Sequence, residues 1–349
     1  MKLIRTEDAV GQVLCQDMTQ IIPGKSKGPR FKKGHVVTEE DISVLLSMGK
    51  VNLYVWELEQ GMVHENDAAH RLAALCLGPG TVAAGEPSEG KIGINAAHDG
   101  CLIVNTEKLN AVNATDEVMV ATRKGGFGVR AGEALAGTRV IPLVVREEVL
   151  EEAERAAGDE FLLEVRPYVL RRAAVIATGS EVASGLIEDA FTPVMVQKLA
   201  AYGIEVTYTA TPGDEMGAVV AAIDEARAAG VDLVLCTGGM SVDPDDNTPG
   251  AIKRAGARIV TYGSPVLPGA MLLVGYFDEG ADGEKSERPV PVLGVPGCAM
   301  YNKATVLDLV LPRVAAGVPL SKRDFVLMGE GGLCLGCKPC TFPVCPFGK

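Results

Sequence analysis

From about Leu170 onward, short unbroken apolar runs alternate with stretches whose apolar positions recur at helical spacing. "AAVIATG", "IEVTYTA", "DLVLCTGG", "ARIVTYG" and "VPVLGVPG" read as strands, because a strand covered on both faces has no polar side to show. Between them, "TPVMVQKLAAYG" carries Thr192 as cap, Pro193 as first helical residue and Gly203 as stop. "DEMGAVVAAIDEARAAG" ends at Gly230, "TPGAIKRAG" repeats the Thr-Pro start, and "AMYNKATVLDLVLPRVAAG" closes the series as a helix. Strands separated by helices of this length specify parallel βαβ units. The predicted fold class is α/β, a doubly wound, mostly parallel sheet over residues 166–320, with residues 278–289 a solvated loop between strands.

The pattern before it is different. In "FKKGHVVTEEDISVLLSMG", Thr38 caps a short helix that Gly49 stops, and "VNLYVWEL" reads as a strand, giving a small mixed unit over residues 1–58. "HENDAAHRLAALCLG" predicts a helix over 64–78. The short runs that follow, broken by Gly and Asn, predict a β-rich or barrel-like module over 59–165, with "EEVLEEAERAA" as a linking helix. Residues 321–349 form a cysteine-rich tail.

Composition narrows the function. A chain of 349 residues, 47% apolar, is long enough for two cores. Its 33 basic residues stand against 45 acidic ones, a net charge of -12, which argues against nucleic-acid or anionic-membrane partners. The opening "MKLIRTEDAV" lacks the apolar core of a signal peptide, and no run reaches the roughly 18 apolar residues of a spanning helix; the expectation is a cytoplasmic protein. An anionic ligand would need help from backbone amides or from a metal ion.

Two stretches offer that help. "TGSEV" (Thr178, Gly179, Ser180, Glu181) and "TGGMSVDPDD" (Thr237, Gly238, Gly239, Ser241, then Asp243, Asp245 and Asp246) follow predicted strands. Ligands collect beyond the carboxyl ends of such strands, where glycines let amides approach an anion and helix starts carry partial positive charge. The three aspartates are hard oxygen ligands suited to Mg²⁺ shared with a phosphate, with Glu181 and Asp214 as weaker candidates. Ordinary strand-to-helix turns and a capped Asp-Pro-Asp-Asp-Asn turn are the plainer readings of the same residues.

"ATGSEV", "LVLCTGGMSVDPDD" and "VLGVPG", in this order over about residues 168–318, resemble the molybdopterin-binding domain of molybdenum-cofactor biosynthesis proteins, among them the molybdopterin molybdotransferases and the C-terminal part of gephyrin. "EDAVGQVLCQDM" also looks like the opening of the molybdotransferases. The resemblance implies that the glycine turns, with Pro296 and Gly297, hold molybdopterin or its adenylate, and that Asp245 or Asp246 acts in catalysis through a divalent metal. It implies either a molybdotransferase-like enzyme or a carrier that delivers the finished cofactor to a molybdenum or tungsten enzyme, and a homodimer. This sequence departs from the molybdotransferase pattern where Ser180 replaces an acidic residue, "GSPVLPG" replaces a Lys-Pro-Gly-Lys-Pro segment, Cys298-Ala299 replaces Asn-Pro, and a "DGYA"-type segment is missing. Binding groups are kept while several catalytic ones are lost, so cofactor binding is the stronger expectation.

Of nine cysteines, Cys15, Cys76, Cys101, Cys236 and Cys298 sit in apolar or glycine-rich surroundings and read as core residues. The others, Cys334, Cys337, Cys340 and Cys345, are spaced C-x₂-C-x₂-C-x₄-C. Such thiolates suit one Zn²⁺ or an iron–sulfur cluster, and spacing does not choose between them; a free reduced tail or a docking element are the alternatives. His64 and His70 read as ordinary polar residues, and no P-loop motif is present.

Overall fold

The carboxylate of Asp41 accepts hydrogen bonds from both the amide and the hydroxyl of Thr38, at 2.9 and 2.8 Å, which opens the helix Glu39–Ser47; Gly49, at φ 75°, closes it. The computed structural model describes residues 2–22, 24, 26–55, 60–241, 246–280 and 284–349. The chain divides into a unit of residues 1–98, 102–123 and 129–165 and a second of residues 99–101, 124–128 and 166–349.

Within the first unit, Leu14, Met18, Leu45 and Leu53 form a small core around that helix. The predicted strand at 51–58 is present as Asn52–Val55, paired antiparallel with Lys2–Arg5; residues 56–59 lie outside the described ones. Beyond it, the helix Glu65–Cys76 packs with a four-stranded antiparallel sheet of Thr81–Ala83, Lys91–Ala96, Ala134–Val140 and Val118–Thr122. The region is β-rich without being a barrel. The charged helix Glu147–Ala157 does not link units: its Val149, Leu150, Ala153 and Ala157 are buried in this core, and Glu154 grips Arg71 through two 2.7 Å hydrogen bonds. A helix at Thr106–Asn113, capped by Asn105, has no counterpart in the sequence reading.

His64, read from the sequence as an ordinary polar residue, is buried and fully engaged. It is 1% exposed, its Nε2 donates to the Cys15 carbonyl at 2.5 Å, and its Nδ1 accepts from the Asn66 amide at 3.2 Å, capping the helix that follows. Burial, with Lys33 nearby, holds its pKa below the ordinary value against the pull of the Cys15 carbonyl. A depressed imidazole is stabilising as the neutral form, so this contribution is complete above the unfolded histidine value of about 6.5 and is lost as pH falls through the window below it. The melting temperature of the wild-type chain should fall across that window, and His64→Gln should flatten the fall; equal slopes would remove His64 from this role.

The second unit is the expected α/β domain. Its strands are β1 (Arg172–Ala177), β2 (Glu205–Ala210), β3 (Leu233–Thr237), β4 (Arg258–Tyr262), β5 (Leu273–Glu279) and β6 (Lys285–Val295), in sheet order β2-β1-β3-β6-β5-β4. β2, β1, β3 and β6 are mutually parallel, while β5 pairs antiparallel with both β6 and the edge strand β4, so β5 alone runs against the other five. The helices are α1 (Ser180–Ala183), α2 (Phe191–Ala200), α3 (Met216–Ala228), α4 (Thr248–Arg254), α5 (Val306–Ala315) and α6 (Lys322–Leu327). Successive residues of each strand enter opposite cores: Val175, Leu235 and Leu293 face α2 and α5, whereas Ile176, Val234 and Val292 face α3 and α4.

Two expectations need correction. Residues 278–289 are not all loop, because β5 and β6 form a hairpin that runs into them from both sides, with Gly280 donating to the Glu284 carbonyl at 2.7 Å. α2 is capped by Asp189, which accepts from the amides of Phe191 and Thr192 at 2.8 and 3.0 Å, rather than by Thr192. Among the described residues no helix is long and apolar enough to cross a membrane.

Candidate functional site

β1, β3 and β6 end in register: Ala177 stands beside Thr237, and Thr237 beside Val295. Their three turns therefore begin side by side on one edge of the sheet, at Thr178, Gly238 and Pro296. The first two are bonded to each other. The Thr178 amide and hydroxyl reach the Thr237 carbonyl at 2.7 and 3.1 Å, and the Thr178 hydroxyl also lies 3.2 Å from that of Thr248, the first residue of α4. Thr178, Thr237 and Thr248 are all buried, and one of the predicted hydroxyls, that of Thr178, serves as stitching between turns. The Thr237 hydroxyl is buried without a hydrogen-bond partner among the described residues.

Packing sets the need for glycine here. Gly238 has φ 84°, and a Cβ built on it would lie 2.3 Å from the Thr178 carbonyl oxygen; one on Gly239, at φ 53°, would lie 2.8 Å from the Thr248 hydroxyl. The absent side chains thus let the turns close on each other, a reason independent of any anion. Open space lies elsewhere: a Cβ on Gly297 would meet nothing within 4 Å, and one on Gly179 only Glu181 Oε2 and Val182 at 3.9 Å.

The start of α1 is already engaged, since the Asp214 carboxylate accepts from the Ser180 amide at 2.7 Å and its hydroxyl at 2.6 Å. Asn247 donates to the Asp214 carbonyl at 3.1 Å, which draws the turn after β2 into the same edge. Glu181 is exposed beside it. On the far side, the Tyr262 hydroxyl at the end of β4 donates to the carbonyls of Met240 and Ser241, at 3.0 and 3.3 Å. Burial and the nearby Asp246 carboxylate push that phenol up. Buried Met240 turns back onto β6, where a Cβ on Gly294 would strike its methyl carbon at 2.5 Å.

The proposed metal residues Asp243 and Asp245 lie outside the described residues; Asp246 is described and half-buried. Among the described residues no three His, Cys, Asp or Glu side chains are grouped to hold a metal ion. Pro296 and Gly297 form the third turn, with Pro296 accepting from the Ala299 amide at 3.1 Å; burial pushes the neighbouring Cys298 thiol up. Burial also pushes Cys76, Cys101 and Cys236 up to about 12, as expected of core thiols. The Asp214 and Tyr262 contacts were hidden in the sequence; the only local signals were a carboxylate after β2 and an aromatic at the end of "ARIVTYG".

Residues 174–316 match a family model described as a "probable molybdopterin binding domain", and residues 3–57 match one described as a domain of unknown function. In sequence the chain is similar to a CinA-like protein of Desulfosudis oleivorans, 41% identical over 88 residues that cover 25% of this chain and 21% of that protein. It is also similar to a CinA-like protein of Mycobacterium sp. (strain JLS), 32% identical over 83 residues, covering 24% of this chain and 20% of that protein. These matches span about a fifth of the curated relatives' own length. Among solved structures, the tungsten cofactor synthesizing protein MoaB from Pyrococcus furiosus is similar at 21% identity and a TM-score of 0.31, over 43% of this chain and 88% of that one. The molybdopterin biosynthesis Mog protein from Mycobacterium ulcerans is similar at 20% identity and a TM-score of 0.33, over 42% and 97%. Residues 174–316 are accordingly a domain of the molybdopterin-binding family.

Proposed function

We propose that the edge formed by the turns after β1, β3 and β6 binds a molybdopterin-type pterin through its phosphate, and that the chain acts in maturation or delivery of a molybdenum or tungsten cofactor. The observation that carries this reading is the joining of the 178 and 237 turns at strand ends that are in register with β6, inside the segment that matches the domain family. The residues fit such a ligand on two counts. A buried Thr237 hydroxyl has no partner among the described residues, and the backbone at Gly179 and Gly297 faces open space. When bound, the pterin supplies the dithiolene that ligates the metal; the chain supplies amides and hydroxyls that orient its phosphate in a protein of net charge -12.

Binding and delivery is the preferred form of this reading over molybdate insertion. Ser180 is occupied with Asp214, and the lysines of the molybdotransferase pattern have no counterpart in "GSPVLPG". The insertion form would use Asp243, Asp245 and Asp246 to hold Mg²⁺ against an adenylate phosphate. The delivery form implies docking to a molybdenum or tungsten enzyme, and a homodimer belongs to the same proposal. Purified chain incubated with adenylated molybdopterin, molybdate and Mg²⁺ separates the two: stoichiometric binding without turnover supports delivery, while AMP release supports insertion. The CinA-like description of the sequence relatives favours a second reading, a role outside cofactor maturation. If neither molybdopterin nor its adenylate binds in that experiment, the pterin proposal fails and this second reading stands.

A further inference from the structure

The α/β unit carries a cavity at the end of the sheet away from the three turns. Strand pairing builds its floor: Arg258 of β4 stands beside Tyr276 of β5, and Tyr276 beside Pro291 of β6. Directly paired residues share a face, here the one that α5 covers, since Tyr276 belongs to the same core as α5. Pro289 and Pro291 precede Val292, where the pairing of β6 with β3 begins, so their missing N–H groups break no bond of that parallel ladder. The facing wall is Leu170, Val314 and the loop 317–320 that follows α5. The Leu320 amide donates to the Tyr276 hydroxyl at 2.9 Å and holds that loop over the sheet.

Between these walls lies a cavity of about 210 Å³. An apolar cavity of about 150 Å³ takes up a benzene ring, so this one has room for a ring with a short substituent. Its polar side chains are Arg258, Arg288 and Tyr276, each able to donate, and no carboxylate lines it among the described residues. Arg258 is fixed in place: Asp278 takes its Nε and one terminal nitrogen at 2.7 and 2.9 Å, and its guanidinium carbon lies 5.6 Å from the centre of the Tyr276 ring. Its other terminal nitrogen makes no hydrogen bond among the described residues. Burial holds the Tyr276 phenol above its ordinary pKa, so it stays protonated. Having accepted from Leu320, it has no acceptor for its own proton among the described residues. The carbonyls at the end of α5 are already engaged, those of residues 312–315 accepting from amides of the following turn and from Val169 and Leu170. Apolar walls with donors and cations at one side suit an anion that has an apolar body.

We propose that this cavity binds a small aromatic carboxylate, with the ring between the prolines and the loop 317–320 and the carboxylate at Arg258 and Arg288. The site lies at the far end of β6 from Pro296, and the proposal is independent of the pterin reading. Benzoate and phenylacetate are the probes. In equilibrium dialysis the full chain should take up phenylacetate saturably at a single site. Phenylacetamide, of nearly the same shape without the charge, should bind about tenfold more weakly, as expected for loss of a charge-assisted hydrogen bond. Arg288→Gln, at an exposed side chain, should weaken phenylacetate by a similar factor and leave phenylacetamide as it was. Arg155→Gln, which removes an exposed cation of the first unit, should change neither. Failure of both acids to bind, equal affinity for acid and amide, or an Arg288→Gln chain that binds phenylacetate like the wild type each overturns the proposal. Displacement of phenylacetate by equimolar inorganic phosphate would reveal a bare anion site and overturn it as well.

Discussion

Gly238→Ala should destabilise the α/β unit by about 3 kcal/mol and abolish the proposed pterin binding. Two costs combine. Holding a residue with a side chain at φ 84° costs on the order of 1 kcal/mol. The new methyl must also move the Thr178 backbone, whose carbonyl oxygen would lie 2.3 Å away, and overpacking of this kind adds about 1–3 kcal/mol. Because Thr178 is bonded to both Thr237 and Thr248, the displacement passes to all members of the strand-end edge. Gly297→Ala is the informative companion: its methyl meets nothing within 4 Å, so the fold should keep its stability while ligand affinity falls. Denaturation midpoints and a fluorescence titration with molybdopterin read the two effects separately. A Gly238→Ala chain of wild-type stability would mean the turns are not packed as described, and unchanged affinity in Gly297→Ala would move the ligand away from the third turn.

Asp308→Ala should have the largest effect outside that edge, about 3 kcal/mol. Asp308 meets Lys198 of α2 at 2.5 Å with both side chains 14% exposed, and its second oxygen accepts from the Thr305 amide at 2.8 Å to cap α5. Truncation strands a largely buried ammonium, left among the described residues with the Lys303 carbonyl at 3.1 Å, and removes one arm of the capping box, while the Thr305 hydroxyl still accepts from the Leu307 amide. Asp308→Asn retains the acceptor for Thr305 but not the charge, so it should lose roughly half as much. Urea midpoints test both; a loss below about 0.5 kcal/mol for the alanine variant would place the pair among exposed ion pairs of little consequence.

Much of the α/β unit was legible because its rules are local. Gly203 and Gly230 adopt φ near 70° at the helix ends they were read as stopping, and the unbroken apolar runs became the buried central strands. What escaped depends on distance in sequence. β5 returns antiparallel into a region whose acidic and basic residues resemble solvated loop, and only pairing with β6 makes it a strand. Thr192 and Asp189 are both plausible caps in isolation, and the carboxylate, reaching two amides, takes the position. His64 looked ordinary because nothing near it in sequence announces the Cys15 carbonyl. At the candidate site the glycines were found, but the part of their role that comes from Thr178 and Thr248 was not, since those partners lie on other turns. The cysteine spacing was legible, whereas its enclosure by Leu333, Phe342 and Phe347 required the folded chain.

β3 is bonded along its length to β1 on one side and β6 on the other, and each of its five residues is buried. Its amides should therefore be among the last in the domain to exchange with deuterated solvent, opening only when the whole unit does. The floor beneath the candidate site is set before any ligand arrives, so association need not first recruit it from a disordered ensemble.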